Sequence, residues 1–135
     1  MRDLSVLVVF EARASARRAL AAAAALDASL TVVTLAPKDA RGARCVVYTP
    51  DLDAAVRESA ERDLRAAREA LGARAAGARF LVLRTRRDND VGVWAAGAGF
   101  TTALLGARRG LLGVRPRDLR ARSLMRAGLD VRIVE

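Results

Sequence analysis

The chain has 135 residues and a formal net charge of +9, from 24 basic and 15 acidic residues. It contains one cysteine, Cys45, and no histidine, which excludes an internal disulfide, a His-based catalytic triad and metal clusters with His or Cys ligands. The length predicts a single domain over residues 1–135, with one hydrophobic core.

The first part of the chain alternates strand and helix patterns. Residues 4–10 form a nearly continuous apolar run, typical of a central strand that is covered on both faces of a parallel sheet. Ser15 is the predicted N-cap of an alanine-rich helix over residues 16–28. Residues 29–35 repeat the strand pattern, and Pro37 helps to end it. Residues 44–48 fit either a short extra strand or part of a loop.

The clearest helix begins near Thr49, a capping residue that is followed by a proline in the first turn. Its apolar face repeats every three or four residues and consists of Leu52, Val56, Ala60, Leu64, Ala67 and Leu71. The opposite face carries acid-first pairs, Glu58 with Arg62 and Glu61 with Arg65, which are typical of a solvated helix surface. Glycines at 72 and 77 bracket the exit from this helix.

The second part of the chain continues the alternation. Residues 79–84 predict a third strand, and Asp90 ends a polar triplet that can cap a short, glycine-weakened helix anchored by Trp94. Residues 100–105 predict a fourth strand, residues 116–127 a helix that Gly128 ends, and residues 129–134 a last strand. The order β-α-β-α-β-α-β-α-β predicts an α/β fold, an open and mostly parallel five-stranded sheet with helices on both faces.

The fourth predicted strand leads into a loop with three glycines and two arginines, Gly106 to Gly113. In open parallel sheets, ligands bind outside the carboxyl ends of the strands, where helix N-termini and turn amides are directed. The question for function is therefore whether this loop can still hold a phosphate.

The whole chain resembles the universal stress protein family, whose members have a first strand ending in Val-Asp-Gly-Ser, an alanine-rich helix and a fourth strand ending in Gly-x-x-Gly, nine residues and Gly-[Ser/Thr]. The resemblance implies an adenine nucleotide alpha hydrolase-like fold. In its nucleotide-binding members the acidic residue after the first strand lies at the ribose, and the glycine loop and Gly-[Ser/Thr] hold the phosphates through backbone amides.

This chain departs from that motif. Glu11 stands at the acidic position, and Leu105 and Gly106 match the residues that open the glycine loop. Arg109 falls on the second glycine, and Leu119 and Arg120 fall on Gly-[Ser/Thr]. Moving the register to Gly110 places Arg120 and Ala121 there instead, so side chains occupy positions where the family's phosphate needs bare backbone.

Two interpretations follow. In the first, the protein is a stress-response regulatory module that has lost ATP binding, carries no cofactor and acts as a homodimer. In the second, arginines at 108, 109, 115 and 120 replace the amide cradle and bind ATP, AMP (with or without Mg) or another anion. The candidate nucleotide or anion site comprises Glu11, Leu105, Gly106, Arg108, Arg109, Gly110 and Arg120.

Further expectations concern chemistry, partners and location. No catalytic constellation is visible, so no enzyme activity and no metal site are predicted. The last strand, residues 129–134, is an uncovered edge and predicts a homodimer, as it does in the family that the chain resembles. Because basic residues are spread along the chain, we expect nucleic acid to bind only through nonspecific charge. The absence of an apolar run of roughly 18 residues predicts a cytoplasmic protein that does not contact membranes.

Overall fold

A computed structural model of the protein describes residues 5–10, 14–37, 50–85, 90–107 and 119–134. Its strands are β1 (Ser5–Val9), β2 (Ser29–Pro37), β3 (Arg79–Thr85), β4 (Thr102–Gly106) and β5 (Asp130–Val134). Its α-helices are α1 (Ala14–Ala24), α2 (Pro50–Leu71), α3 (Asp90–Gly97) and α4 (Leu119–Arg126), and a 3-10 helix covers Gly72–Gly77. The predicted alternation of strands and helices is confirmed.

The five strands form one parallel sheet in the order β3-β2-β1-β4-β5. β1 is central, as predicted: Val6 pairs with Leu30 of β2 on one side and with Thr102 of β4 on the other. β3 and β5 form the two edges of the sheet. The chain therefore places β2 and β3 on one side of β1, and then crosses over β1 to place β4 and β5 on the other side.

Two apolar clusters cover the two faces of the sheet. Val6 and Val8 of β1 pack with α1 and α2, whereas Leu7 and Val9 pack with α3 and α4. All four of these side chains are buried, as expected for a strand whose alternate residues both face a helix layer. We refer to the two sides as the α1/α2 face and the α3/α4 face.

The predicted start of the first helix was wrong. Ser15 lies inside α1, which begins at Ala14, so it is not the N-cap. The fourth strand places backbone directly against this first turn: a Cβ built on Gly106 would lie 2.5 Å from the amide nitrogen of Ala16. The position of the turn is thus fixed by a long-range contact that no local capping pattern reveals.

The predicted end of the same helix was also wrong, because α1 ends at Ala24 and residues 25–28 form a turn. Arg74, from the 3-10 helix, donates through Nη2 to the carbonyl oxygens of Leu26 at 3.2 Å and Ala28 at 2.7 Å. These bonds give hydrogen-bond partners to two carbonyls of the turn that follows the helix. They join residues nearly fifty positions apart, so the alanine-rich sequence alone does not indicate where the helix stops.

Among the remaining boundaries, β4 begins at Thr102 and not at residue 100, α4 begins at Leu119 and not at residue 116, and β2 ends at Pro37 and not at residue 35. The others that the structure describes lie within one residue of the predicted ones. α2 ends at Leu71 as predicted; Ala60, Ala67 and Leu71 are buried, while the predicted charged pairs of its opposite face are exposed. Gly128 ends α4 with a φ of +93°, a left-handed conformation that favours glycine. The possible strand over residues 44–48, and Cys45 within it, lie outside the described residues.

Candidate functional site

The candidate site lies between the carboxyl ends of β1 and β4, where the order in which the chain adds strands reverses. Val9 of β1 pairs with Leu105 of β4, and the next residue, Gly106, pairs with Val134 of β5. Leu105 is 3% exposed and belongs to the apolar cluster of the α3/α4 face. Leu105 is therefore a core residue, and its packing positions the carboxyl end of β4 relative to the α3/α4 face.

Gly106 is a close-packing residue. A Cβ at this position would lie 2.5 Å from the carbonyl carbon of Ser15 and 2.7 Å from its oxygen, as well as 2.5 Å from the nitrogen of Ala16. Real side chains do not approach backbone this closely, so only glycine lets the first turn of α1 lie against β4. The glycine that the resemblance assigns to a phosphate loop has a structural role of its own here.

The structure describes three of the seven candidate site residues. Leu105 and Gly106 lie together at the end of β4, and Arg120 lies in the first turn of α4 with a partly buried side chain. Glu11, Arg108, Arg109 and Gly110 lie outside the described residues, as do residues 115 and 118. Whether these groups form one site thus stays a prediction.

The start of α4 bears on the nucleotide question. This helix begins at Leu119, so the two positions that the resemblance matches to Gly-[Ser/Thr], Leu119 and Arg120, are its first two residues. Amides of a first helical turn are suitable phosphate donors. Here they belong to residues with large side chains, and the next residue, Ala121, is buried at 3% exposure. Ala121 and Leu124 anchor the helix to the core of the α3/α4 face.

The net charge is concentrated in one stretch of the sequence, although the basic residues are spread along the chain. Residues 106–126 contain seven arginines and one aspartate, so they hold six of the nine net positive charges. Elsewhere acidic residues nearly balance the basic ones. The first turn of α1 likewise contains no acidic residue, and Arg17 and Arg18 follow it on the exposed surface.

A second close contact, which was not predicted, joins α3 to α4. A Cβ on Gly92 would lie 2.1 Å from the carbonyl oxygen of Ser123, and the amide of Gly92 donates to Ser123 Oγ at 3.0 Å. Both residues are buried. The signal in the sequence was a glycine inside a helix, which lowers helix propensity and so needs a packing reason. The contact holds α4, and with it Arg120, at a fixed distance from α3.

Trp94 and Phe100 complete the support of this layer. Their ring centroids are 5.6 Å apart with the planes tilted by 39°, a favourable arrangement for two aromatic rings. The prediction that Trp94 anchors α3 by packing is confirmed, since it is partly buried against the cluster of the α3/α4 face.

Two possible kinds of site are not present in the described ranges. No three Asp, Glu, Cys or His residues of these ranges are grouped so that they could hold a metal ion. None of the described helices combines the length and apolar character that are needed to cross a lipid bilayer.

No protein-family sequence profile and no curated protein matches this chain. Solved structures do match it. A protein of the universal stress protein family from Burkholderia pseudomallei superposes with a TM-score of 0.69 at 22% identity, covering 96% of this chain and 94% of its own. The chain has the fold of a universal stress protein.

Two further universal stress proteins carry nucleotides. The protein from Archaeoglobus fulgidus in complex with dAMP matches with a TM-score of 0.67 at 20% identity, covering 99% of this chain and 98% of its own. A universal stress protein family protein from Arabidopsis thaliana with AMP bound matches with a TM-score of 0.64 at 12% identity, over 97% of this chain and 90% of its own. The universal stress protein fold predicted from the sequence is thus confirmed over essentially the whole chain.

Proposed function

We propose that this protein is a cytoplasmic regulatory module of the stress response, with the universal stress protein fold, that acts as a homodimer and does not bind ATP tightly. It performs no catalysis of its own in this proposal; its role is to present a surface to other molecules. The observation that carries the loss of tight ATP binding is the start of α4, where Leu119 and Arg120 stand in place of the Gly-[Ser/Thr] of the nucleotide-binding motif.

Gly106 supports the same conclusion. Its α-carbon faces the backbone of Ser15 and Ala16 at distances that leave no room for a Cβ, so the glycine is explained without a ligand. Neighbours of the same fold do carry dAMP and AMP, which means that the fold permits a nucleotide. We therefore attribute the proposed loss of tight ATP binding to the residues of this chain and not to its fold.

The test is a calorimetric titration of the purified full chain with Mg-ATP, together with native mass spectrometry of freshly purified protein. We expect no dissociation constant at or below the micromolar range and no co-purified nucleotide. Micromolar or tighter binding would contradict this part of the proposal.

Anion binding through arginines is the second candidate function, favoured by the six net positive charges within residues 106–126. It is distinguished from the first by mutation. If Mg-ATP binds at micromolar concentrations and Arg108→Ala and Arg109→Ala each weaken it, guanidinium groups have replaced the amide cradle. Exposed Arg62→Ala on α2, on the other helix layer, is the matched control and should leave binding unchanged.

The homodimer is proposed to form through β5. This strand pairs only with β4 among the described residues, so one side of its backbone has no strand neighbour there. Val131 packs into the α3/α4 cluster, while Ile133, on the same side of the strand, is 47% exposed. An edge strand with an exposed apolar side chain is suited to pairing with its own copy about a two-fold axis.

The hydrogen bonds of β5 identify the groups that would pair. Asp130 N donates to Thr101 O at 2.8 Å, and Val134 O accepts from Ala107 N at 2.9 Å, so the backbone groups of these residues face β4. Because alternate residues of a parallel strand bond to opposite sides, the amides of Val131 and Ile133 face outward. Ile133 is therefore the residue whose amide tests the interface.

Ile133→Pro removes an outward donor while leaving the bonds to β4 in place. We expect light scattering at tens of micromolar to find the unmodified protein dimeric and this variant monomeric, with an unchanged circular dichroism spectrum. Ile133→Val, which retains the amide and β-branching, is the control and should remain dimeric. A folded Ile133→Pro dimer would place the interface elsewhere.

A further inference from the structure

The outer side of α3 is apolar, although it faces away from the sheet. From residue 91 to residue 99 the chain has no charged side chain, and no polar one besides the indole of Trp94. Val91 and Ala95 are buried in the cluster of the α3/α4 face, and Val93, on the opposite side of the helix, is 76% exposed. A helix that is apolar all round is normally buried on all sides. The outer side of α3 is therefore suited to a contact with another molecule.

α4 packs directly beside α3, and the burial of its residues shows how it is turned. Ser123 contacts α3, whereas Ala121 and Leu124 are buried in the core. At about 100° per residue, Arg122 and Arg126 lie on the side of α4 opposite this core, and Arg126 is about 60° from Ser123 around the helix, toward α3. Both arginines are exposed. They thus lie on the outer side of the helix layer, as the exposed valine of α3 does.

The two helices are close enough for one partner segment to contact both. A Cβ on Gly92 would lie 2.1 Å from the carbonyl oxygen of Ser123, so the distance between the helix axes is near the lower end of the usual range of roughly 8–10 Å. A partner helix is itself roughly 10–12 Å wide with its side chains. A single helix that lies along this pair can therefore contact α3 and α4 together. We call the exposed residues that it would cover the outer α3/α4 surface: Val93, Ala96, Gly97, Arg122 and Arg126.

The charge of this surface is not balanced within α4. On α2 the exposed arginines at 62 and 65 each follow a glutamate by four positions, so that helix compensates these cations itself. α4 has no acidic residue, and Asp130 of β5 is paired with Arg132 at 3.5 Å. Arg122 moreover lies in the first turn of α4, where the helix dipole disfavours a cation. The stability of the helix therefore does not explain this arginine, and an acidic group from another molecule would complement it.

We propose that the outer α3/α4 surface binds an acidic amphipathic helix of a partner protein. The apolar stripe of that helix packs on Val93, while Ala96 and Gly97 allow its close approach, and carboxylates beside the stripe pair with Arg122 and Arg126. The inference rests on the proposed function as a regulatory module and names the kind of partner to which the module presents its surface. It does not require the pairing of β5.

The experiment is fluorescence anisotropy of a labelled synthetic peptide that is titrated with the full chain. The peptide has about 18 residues, long enough for an isolated helix, with leucines at intervals of three and four and glutamates on both sides of the leucine stripe. Two comparison peptides replace either every glutamate by lysine or every leucine by glutamine. We expect each to bind at least about ten-fold more weakly than the first, because one loses the ion pairs and the other the apolar contact.

Two variants locate the contact. Val93→Gln removes the apolar side chain without changing the charge, and we expect it to weaken binding of the glutamate peptide about ten-fold. Arg122→Gln with Arg126→Gln should reduce the preference for glutamate over lysine to about three-fold or less. These side chains are exposed and glutamine is a good helix former, so circular dichroism should show an unchanged fold. Arg62→Gln with Arg65→Gln on α2 removes the same charge from the other helix layer and should leave affinity and preference unchanged.

The possible failures are distinct. Equal binding of the peptide without leucines, or an equal loss in the α2 variant, would show attraction by net charge alone and overturn the proposal. Binding to phosphatidylglycerol vesicles that Val93→Gln abolishes, without binding of the peptide, would assign the surface to membranes and also overturn it. A dimeric protein that binds neither Mg-ATP tightly nor the peptide refutes this inference alone. Micromolar binding of Mg-ATP contradicts the proposed function, and the peptide titrations then still decide whether the surface binds acidic helices.

Discussion

Replacing Gly106 by alanine tests whether this glycine has a packing role. The new Cβ would lie 2.5 Å from Ala16 N and from the carbonyl carbon of Ser15. Both are backbone atoms at the start of α1, so the helix or β4 must shift. Overpacking of this kind costs about 1–3 kcal/mol, and the reduced freedom of the unfolded chain returns about 0.4–1 kcal/mol. We expect a net loss of about 1–2 kcal/mol in the free energy of unfolding.

Urea denaturation without any nucleotide measures this change as a lower midpoint at an unchanged slope. Gly97→Ala is the matched control, because a Cβ there meets nothing within 4 Å and the residue lies at the end of α3. Its stability should be equal to or slightly above that of the unmodified protein. If Gly106→Ala is as stable as Gly97→Ala, the first turn of α1 does not lie against β4 and the packing explanation fails.

Three further outcomes are expected. Gly92→Ala places a Cβ 2.1 Å from Ser123 O, so urea denaturation should show a free energy of unfolding lower by about 1–3 kcal/mol. At the same contact, Ser123→Ala should lower the free energy of unfolding by about 1–2 kcal/mol, because the buried amide of Gly92 loses its acceptor. Arg74→Met removes both bonds to the turn after α1 and should cost about 1–3 kcal/mol, whereas the same change at exposed Arg62 of α2 should stay within about 0.5 kcal/mol. DNA affinity, measured by fluorescence anisotropy, should fall at least about ten-fold between 50 and 200 mM salt, since it comes from counterion release; sequence-selective binding that persists at 150 mM would contradict this.

The fold was predictable because each strand and helix has a strong local pattern. The β1 sequence is apolar at successive positions and its residues are buried on both faces, which is the arrangement that a central parallel strand requires. The regular apolar repeat of α2 likewise gave its buried face and its end at Leu71. Short-range regularity was sufficient for these elements, and their alternation then determined the fold class.

The limits of α1 and the role of Gly106 were not predictable in the same way. The first turn of the helix lies against β4, about ninety residues later, and the turn that follows the helix is held by Arg74. Likewise, the family motif assigned Gly106 to a phosphate loop. A motif shows that a glycine is required at a position, but it does not show which neighbouring atoms leave no room for a side chain. These properties depend on tertiary contacts that leave no periodic trace in the sequence.

The central place of β1 also has a consequence during synthesis. Val6 pairs with Leu30 and with Thr102, so one flank of β1 gains its neighbour early and the other must wait for β4. At a translation rate of about 5–20 residues per second, that delay is roughly 5 to 20 s. During it, a strand that is apolar at four of its five residues has unpaired amides and carbonyls along one edge. We therefore expect holding chaperones to bind the nascent chain until β4 leaves the ribosome, and slow translation between β3 and β4 to increase its aggregation.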